Sequence, residues 1–280
     1  DYADTRAFRI WVNYRLISRS KNAPTDSAPA APVGFSDVLV DEVPWRIYAL
    51  QSPSRDLIFE VRENLSGRDR LRREMLLGAA GLLAAYVQAT SGGALYRRTS
   101  FLLDSLGQPV TAAHVDISED PHVKKGKGSS PFDDEGVLTR ARSVVEGGVL
   151  QGYFLSSYSA RKLGMKTTGH AGGSHNLRMT SRATAPGDDL ATMVRRLGRG
   201  LLVTELMGQG VNYVTGDYSR GASGYWVENG EIAYPVHEVT IAGNLKDMLR
   251  NIVGIGADEY TMGTKTVGSV LVGGMKLAGN

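Results

Sequence analysis

The sequence predicts an α+β fold, and three observations carry that reading. Two-residue turn signals sit between strand-type runs twice. Asn229-Gly230 separates Gly224-Tyr225-Trp226-Val227 from Glu231-Ile232-Ala233-Tyr234, and Gly147-Gly148 separates Val144-Val145-Glu146 from Val149-Leu150. Both pairs tolerate positive φ, which a tight hairpin turn demands. Helical periodicity occurs in separate places. Leu245, Met248, Leu249 and Ile252 share a face behind the capping pair Gly243-Asn244, and Leu190, Met193, Val194 and Leu197 stripe Asp188–Leu197. Finally, glycine is dense, 34 of 280 residues, yet only Gly34, Gly67, Gly78 and Gly81 precede Leu82. Average usage is near 7%, so the shift marks a boundary near residue 80, between a small α+β segment, 1–80, and a glycine-rich remainder, 81–280.

Taken in order, residues 1–20 carry Phe8, Ile10, Trp11, Val12, Tyr14, Leu16 and Ile17 among Arg and Ser, which suits a helix or a strand. Lys21 to Pro32 is a Pro/Ala/Ser linker or long loop. Strands are predicted at Phe35–Val40, Trp45–Leu50 and Leu57–Val61, before a charged helix, Gly67–Gly78, that enters an apolar run. That run, Met75 to Val87, has 13 residues, short of the roughly 20 that cross a bilayer, so it reads as a buried helix. Ser91-Gly92-Gly93 reads as a turn, Leu95–Leu106 as strand-like, and His114-Val115-Asp116-Ile117 as a short strand. Polar loops follow at Asp120–Ser130 and Pro131–Gly136, then a helix over Tyr153–Leu163. Leu201–Thr204 and Val239–Ile241 read as strands, with Pro235 suited to an edge or bend, and Gly268–Val272 as a last strand.

Charge and composition narrow the function classes. A net charge of +3 with 22% charged residues, evenly scattered, does not argue for nucleic acid. The absence of cysteine excludes disulfides and thiolate metal sites and suits the cytoplasm. The chain starts at Asp1 rather than Met, as a fragment or processed product would, and shows no signal-peptide pattern.

Several strings together resemble a known family. They are GDYSRGASGYWVENGEIAYPVHEVTIAGNLKDMLRNI, Thr168-Gly169-His170-Ala171-Gly172-Gly173, Ser157 through Gly164, Thr204 through Gly210, and Ser91 through Arg98. In this order and length they resemble the C-terminal half of the TldD/PmbA family, on its PmbA (TldE) side, over about 81–280. The resemblance implies a glycine-rich α+β domain built mainly of antiparallel strands. It further implies a two-subunit metallopeptidase, acting on unfolded peptides in the cytoplasm and in the maturation of peptide antibiotics. A TldD-type partner would carry zinc on an H-E-x-x-x-H helix, and this chain would be the non-metal subunit, lacking the family's N-terminal half.

Residues 1–80 are similar to something else. Short strands followed by VRENLSGRDRLRREMLL resemble the extracytoplasmic sensor region of bacterial two-component sensor kinases. The two resemblances meet at Gly78–Leu83, as in a gene fusion or a chimera, so a structural discontinuity is expected there. The alternatives to a peptidase subunit are therefore an extracytoplasmic sensing fragment or a fusion without function.

No catalytic constellation emerges from spacing. An H-E-x-x-H helix sets two His on one face for zinc, with Glu as base. The one His-Glu pair here, His237-Glu238, is followed by Ile241 and Ala242 where a second His would stand, and lies in a strand pattern. His170 and His175 are the remaining metal candidates. They flank Ala-Gly-Gly-Ser, a loop that reads as flexible, and so read as a turn His and a surface His. His114 and His122 fall in unrelated loops, and Ser223 lacks a nucleophile-elbow setting. The Gly208-Gln209-Gly210 stretch matches no phosphate loop. Asp217-Tyr218-Ser219-Arg220, read as a loop, suits either contact with a peptide or a structural turn with a local Asp–Arg pair. No metal or other cofactor is expected in this chain, zinc being assigned to the partner.

Overall fold

The computed structural model describes residues 6–12, 15–21, 23, 34–40, 43–53, 57–64 and 66–279. The chain divides into two compact units, Asp1–Arg72 and Arg73–Asn280.

In the first unit, β1 (Arg6–Val12), β2 (Arg15–Arg19), β3 (Gly34–Val40), β4 (Val43–Gln51) and β5 (Leu57–Asn64) form an antiparallel sheet in the order β2-β1-β5-β4-β3. The undecided first twenty residues are thus strands where described. Period-2 alternation buries Ala7, Arg9 and Trp11 with Ile58, Glu60 and Arg62, and exposes Phe8, Tyr48, Leu50 and Phe59. Burying charge is costly unless it is paired. Here Arg9 Nε meets Glu60 Oε2 at 2.9 Å, with the Arg62 guanidinium at 3.3 Å. Except for Lys21 and Ala23, the linker Lys21–Pro32 lies outside the described residues.

Helix α1 (Ser66–Ala89) runs unbroken through 78–83. Among the described residues no helix is long and apolar enough to cross a membrane. Ala79, Ala80, Leu83, Tyr86 and Ala89 of α1 enter the core of the second unit. The remaining helices are α2 (Gly92–Tyr96), α3 (Ser157–Leu163), α4 (Leu190–Leu197) and α5 (Leu245–Arg250). The strands are β6 (Val115–Asp120), β7 (Arg142–Glu146), β8 (Val149–Leu150), β9 (Asn176–Ser181), β10 (Gly200–Met207), β11 (Asp217–Glu228) and β12 (Glu231–Asn244). They continue with β13 (Ile252–Ile255), β14 (Tyr260–Met262), β15 (Lys265–Val267), β16 (Val270–Val272) and β17 (Lys276–Ala278). Three sheets result: β14-β15-β9-β6-β7-β8, β10-β11-β12-β17, and the pair β13-β16. β9 and β15 run parallel; the other pairs are antiparallel. The α+β, mainly antiparallel expectation holds.

Both hairpins form where their turn residues stand. Glu228 pairs with Glu231 around Asn229 (φ 53°) and Gly230 (φ 76°), and Glu146 pairs with Val149 around Gly147 and Gly148. Asp189 and Asn244 cap α4 and α5 through their side chains.

Elsewhere the structure corrects the sequence reading. Ser91-Gly92-Gly93 is no free turn: Ser91 Oγ accepts from Ala94 N and caps α2, so Leu95–Leu106 is helix and turns rather than strand. The helix read over Tyr153–Leu163 begins only at Ser157, behind a capping box of Ser156 and Ser159, and leaves Tyr153–Leu155 in the core. Pro235 does not end its strand. It lies within β12 opposite Tyr225, on the stretch where no partner follows on the other side, because β17 pairs only with Thr240–Ala242. Val239–Ile241 belongs to this same strand. Ile252, read as helical, heads β13, and the chain's last strand is β17.

Candidate functional site

Two places in the second unit gather the residues that the sequence singled out. The first is a buried ionic network beneath a pocket. Along β6 the alternation turns Val115, Ile117 and Glu119 inward, so a carboxylate occupies a position where the strand's period asks for an apolar side chain. Arg142 on β7 is its cross-strand neighbour, and its Nε donates to Glu119 Oε2 at 2.9 Å. His170 Nε2 lies 2.8 Å from that same oxygen, and the backbone N–H of His175 donates to Glu119 Oε1 at 2.7 Å. Burial alone would raise the Glu119 pKa. The hydrogen bond and charge of His170, the charge of Arg142 and the His175 N–H outweigh it and hold the carboxyl at about 2.

Both histidines are buried, against the expectation of a turn His and a surface His in a flexible loop. The loop is pinned. Asp133 accepts the N–H of Ala171, Glu135 and Val137, and these bonds lower its carboxyl pKa in spite of burial. Thr168 Oγ1 receives Leu155 N and faces His170 Nδ1 at 2.9 Å. Gly172 stands at φ 96°, where a Cβ would fall 2.4 Å from Asp134 Oδ2, so only glycine lets the loop pass.

Glu119, His170 and His175 bring one donor atom each within 4.8 Å of one another, which makes them the one three-residue metal candidate among the described residues. As folded they do not fit a catalytic zinc. Such a site needs three ligands with free lone pairs around an open fourth position. Here the carboxylate is taken by a guanidinium, His170 Nε2 faces both Glu119 Oε2 and Arg142 Nη2, and the two ring nitrogens of His175 face the carbonyls of Gly128 and Gly169 at 3.1 and 3.2 Å. A carbonyl in front of each ring nitrogen leaves neither turned towards an open metal position, whichever nitrogen carries the N–H.

Above this network lies a pocket of about 350 Å³, walled by Ser91, Tyr96, Ser156, Tyr158, His170 and Gly172 among others. Three separated strings, 91–98, 157–164 and 168–173, thus converge on one hydroxyl-rich cavity. Sequence reasoning found the strings but not Glu119 or Arg142. The available signal was the charged residue at the inward phase of Val115-Asp116-Ile117-Ser118-Glu119.

The second place holds Asp217-Tyr218-Ser219-Arg220. The quartet is not a loop; it opens β11. Strand alternation therefore divides it, with Asp217 and Ser219 exposed while Tyr218 and Arg220 are half-buried and line an apolar cavity. No local Asp–Arg pair forms. The Asp217 carboxylate is held by Thr215 and Asn244, whose hydrogen bonds lower its pKa. Burial raises the Tyr218 phenol against the opposing charge and hydrogen bond of Arg220. His237 and Glu238 fall in the bulge opposite Ser223, with Glu238 at φ 55°; an irregular strand cannot present them as a helical pair.

The sequence match sets the class, a C-terminal domain of metallopeptidase type: residues 77–279 match the family profile described as "PmbA/TldA metallopeptidase C-terminal domain", leaving residues 1–76 outside the match. The chain is 55% identical over 201 residues to Metalloprotease PmbA of Escherichia coli O157:H7, covering 72% of this chain and 44% of that protein. A Thermotoga maritima crystal structure superposes with a TM-score of 0.63 at 36% identity, over 71% of this chain and 47% of that one. TldE from Thermococcus kodakarensis, at 24% identity and TM-score 0.59 over 69% of this chain and 46% of that one, shares the fold. The chain belongs to the PmbA/TldD metallopeptidase family and carries its C-terminal domain. It spans about half the length of the relatives it matches.

Proposed function

We propose that this chain acts as the non-metal subunit of a TldD/PmbA-type peptidase, in cytoplasmic proteolysis of unfolded peptides and maturation of peptide antibiotics. In this reading a TldD-type partner brings the zinc on its H-E-x-x-x-H helix. This chain contributes to a peptide-binding surface through Tyr218 and Arg220, with Asp217 and Ser219 on the solvent side of the same strand. The observation that carries the reading is the closed state of Glu119, His170 and His175. Their polar atoms face one another, Arg142 and backbone groups, so the polar centre serves to hold the 168–175 loop in place. Family membership supplies the reaction class, peptide hydrolysis.

Metal analysis of the purified chain tests this, followed by peptide cleavage assays with and without a TldD-type partner. Sub-stoichiometric zinc and cleavage that requires the partner are expected. Stoichiometric zinc with partner-free, chelator-sensitive cleavage would overturn the proposal and point to His170 and His175 as ligands.

A further inference from the structure

We infer that the apolar cavity between α1, α4, β10 and β11 takes the C-terminal residue of a peptide, its side chain in the cavity and its carboxylate on Arg220. The inference deepens the proposed peptide-binding role and rests on it. The cavity measures about 240 Å³, and its wall is aliphatic and aromatic, with Leu82, Met193, Leu206, Val211 and Met248 contributing. An apolar cavity of about 150 Å³ already accepts benzene, so a side chain of Leu or Phe size fits.

Tyr213, Tyr218 and Ser269 add hydroxyls to this lining, and among its described residues Arg220 alone is charged. Arg220 points into it from β11, opposite Ile241 on β12. Its Nε is buried without a hydrogen-bond partner, and a terminal nitrogen makes only a long 3.5 Å contact to the Leu206 carbonyl. Among the described residues no carboxylate pairs with it. A guanidinium whose Nε is buried without an acceptor is costly to keep, and a carboxylate supplies the planar pair of acceptors that matches it. Tyr218, two residues before it on the same face of β11, lines the cavity beside the guanidinium. Charge complementarity inside an apolar enclosure therefore selects a ligand that is apolar and ends in a carboxylate. A peptide C-terminus joins the two features through one Cα.

A fatty acid shares that chemistry, so the experiment separates the two. Binding to the full chain is measured by calorimetry with a hexapeptide ending in Leu, the same peptide amidated at its C-terminus, and decanoate. The free acid is expected to bind, with amidation weakening it about tenfold or more. Arg220→Met should lose the same factor while keeping the fold, because it removes an unsatisfied buried donor. As a second variant, Gly81→Phe fills the cavity from α1. Nothing lies within 4 Å of a Cβ built on Gly81, and replacing a helical glycine favours the helix, so loss of binding there reports occupancy rather than unfolding. Equal binding of acid and amide, no effect of Arg220→Met, or no peptide binding at all overturns the inference. Binding of decanoate without the peptide overturns the peptide assignment. Partner-dependent cleavage without this binding sinks the inference alone. C-terminal binding together with partner-free zinc cleavage sinks the proposed subunit role alone.

Discussion

Replacing Glu119 by Gln should cost stability in a pH-dependent way, and the structure sets the size. Gln keeps the shape but removes the charge that Arg142 and His170 share, and turns an amide N–H₂ toward their donors. The carboxyl falls from its ordinary 4.5 to about 2 in the folded chain, an interval that corresponds to about 3 kcal/mol. Because the folded value is the lower one, the unfolded chain binds more protons between the two. The stabilisation is therefore complete above the ordinary carboxyl value and is lost as the pH falls through that interval towards about 2. Urea titrations of the parent and Glu119→Gln chains, followed through the methyl resonance of Met179, report the right unit, since Met179 is fully buried in β9 beside the network. The gap between the two chains should be about 3 kcal/mol near pH 6 and shrink towards zero near pH 2. A gap below about 1 kcal/mol near pH 6, or one that does not change on acidification, would refute the view that this carboxylate is held ionised by its neighbours.

Gly148→Ala should destabilise the second unit by about 2 kcal/mol or more in the same titration, because φ is 81° and the new Cβ would lie 2.8 Å from the carbonyl oxygens of Thr111 and Ala112. Tyr86→Phe should be neutral or stabilising by up to about 1 kcal/mol, since the Tyr86 hydroxyl is buried without a protein partner and burial raises its pKa; a large loss of stability would show that the hydroxyl is engaged. Leu83→Ala should cost about 2–5 kcal/mol, as this side chain is fully buried in the core of the second unit.

Much of the local architecture was legible because its causes are local. Asn229-Gly230 and Gly147-Gly148 specify their turns through φ angles alone, and the stripes of α4 and α5 follow from period and caps. The misreadings came where a local pattern had two solutions. Leu95–Leu106 alternates well enough for a strand, yet Ser91 caps a helix at its start. Asp217–Arg220 has loop composition between glycines, but pairing with Ile241–Asn244 draws it into β11.

The sequence by itself determined the hairpins, the capped helices, the glycine-rich character of the larger unit and the family resemblance, all of which depend on residues near one another in the chain. Only the tertiary structure decided the chemistry of the histidines. His170 and His175 lie 51 and 56 positions from Glu119, and Arg142 lies 23 from it. Sheet pairing between β6, β7 and β9 closes those separations and buries Glu119, His170 and His175 against a half-buried Arg142. Burial then forces each donor to find a partner, and a pair of histidines that spacing left as a turn residue and a surface residue becomes the centre of an ionic network.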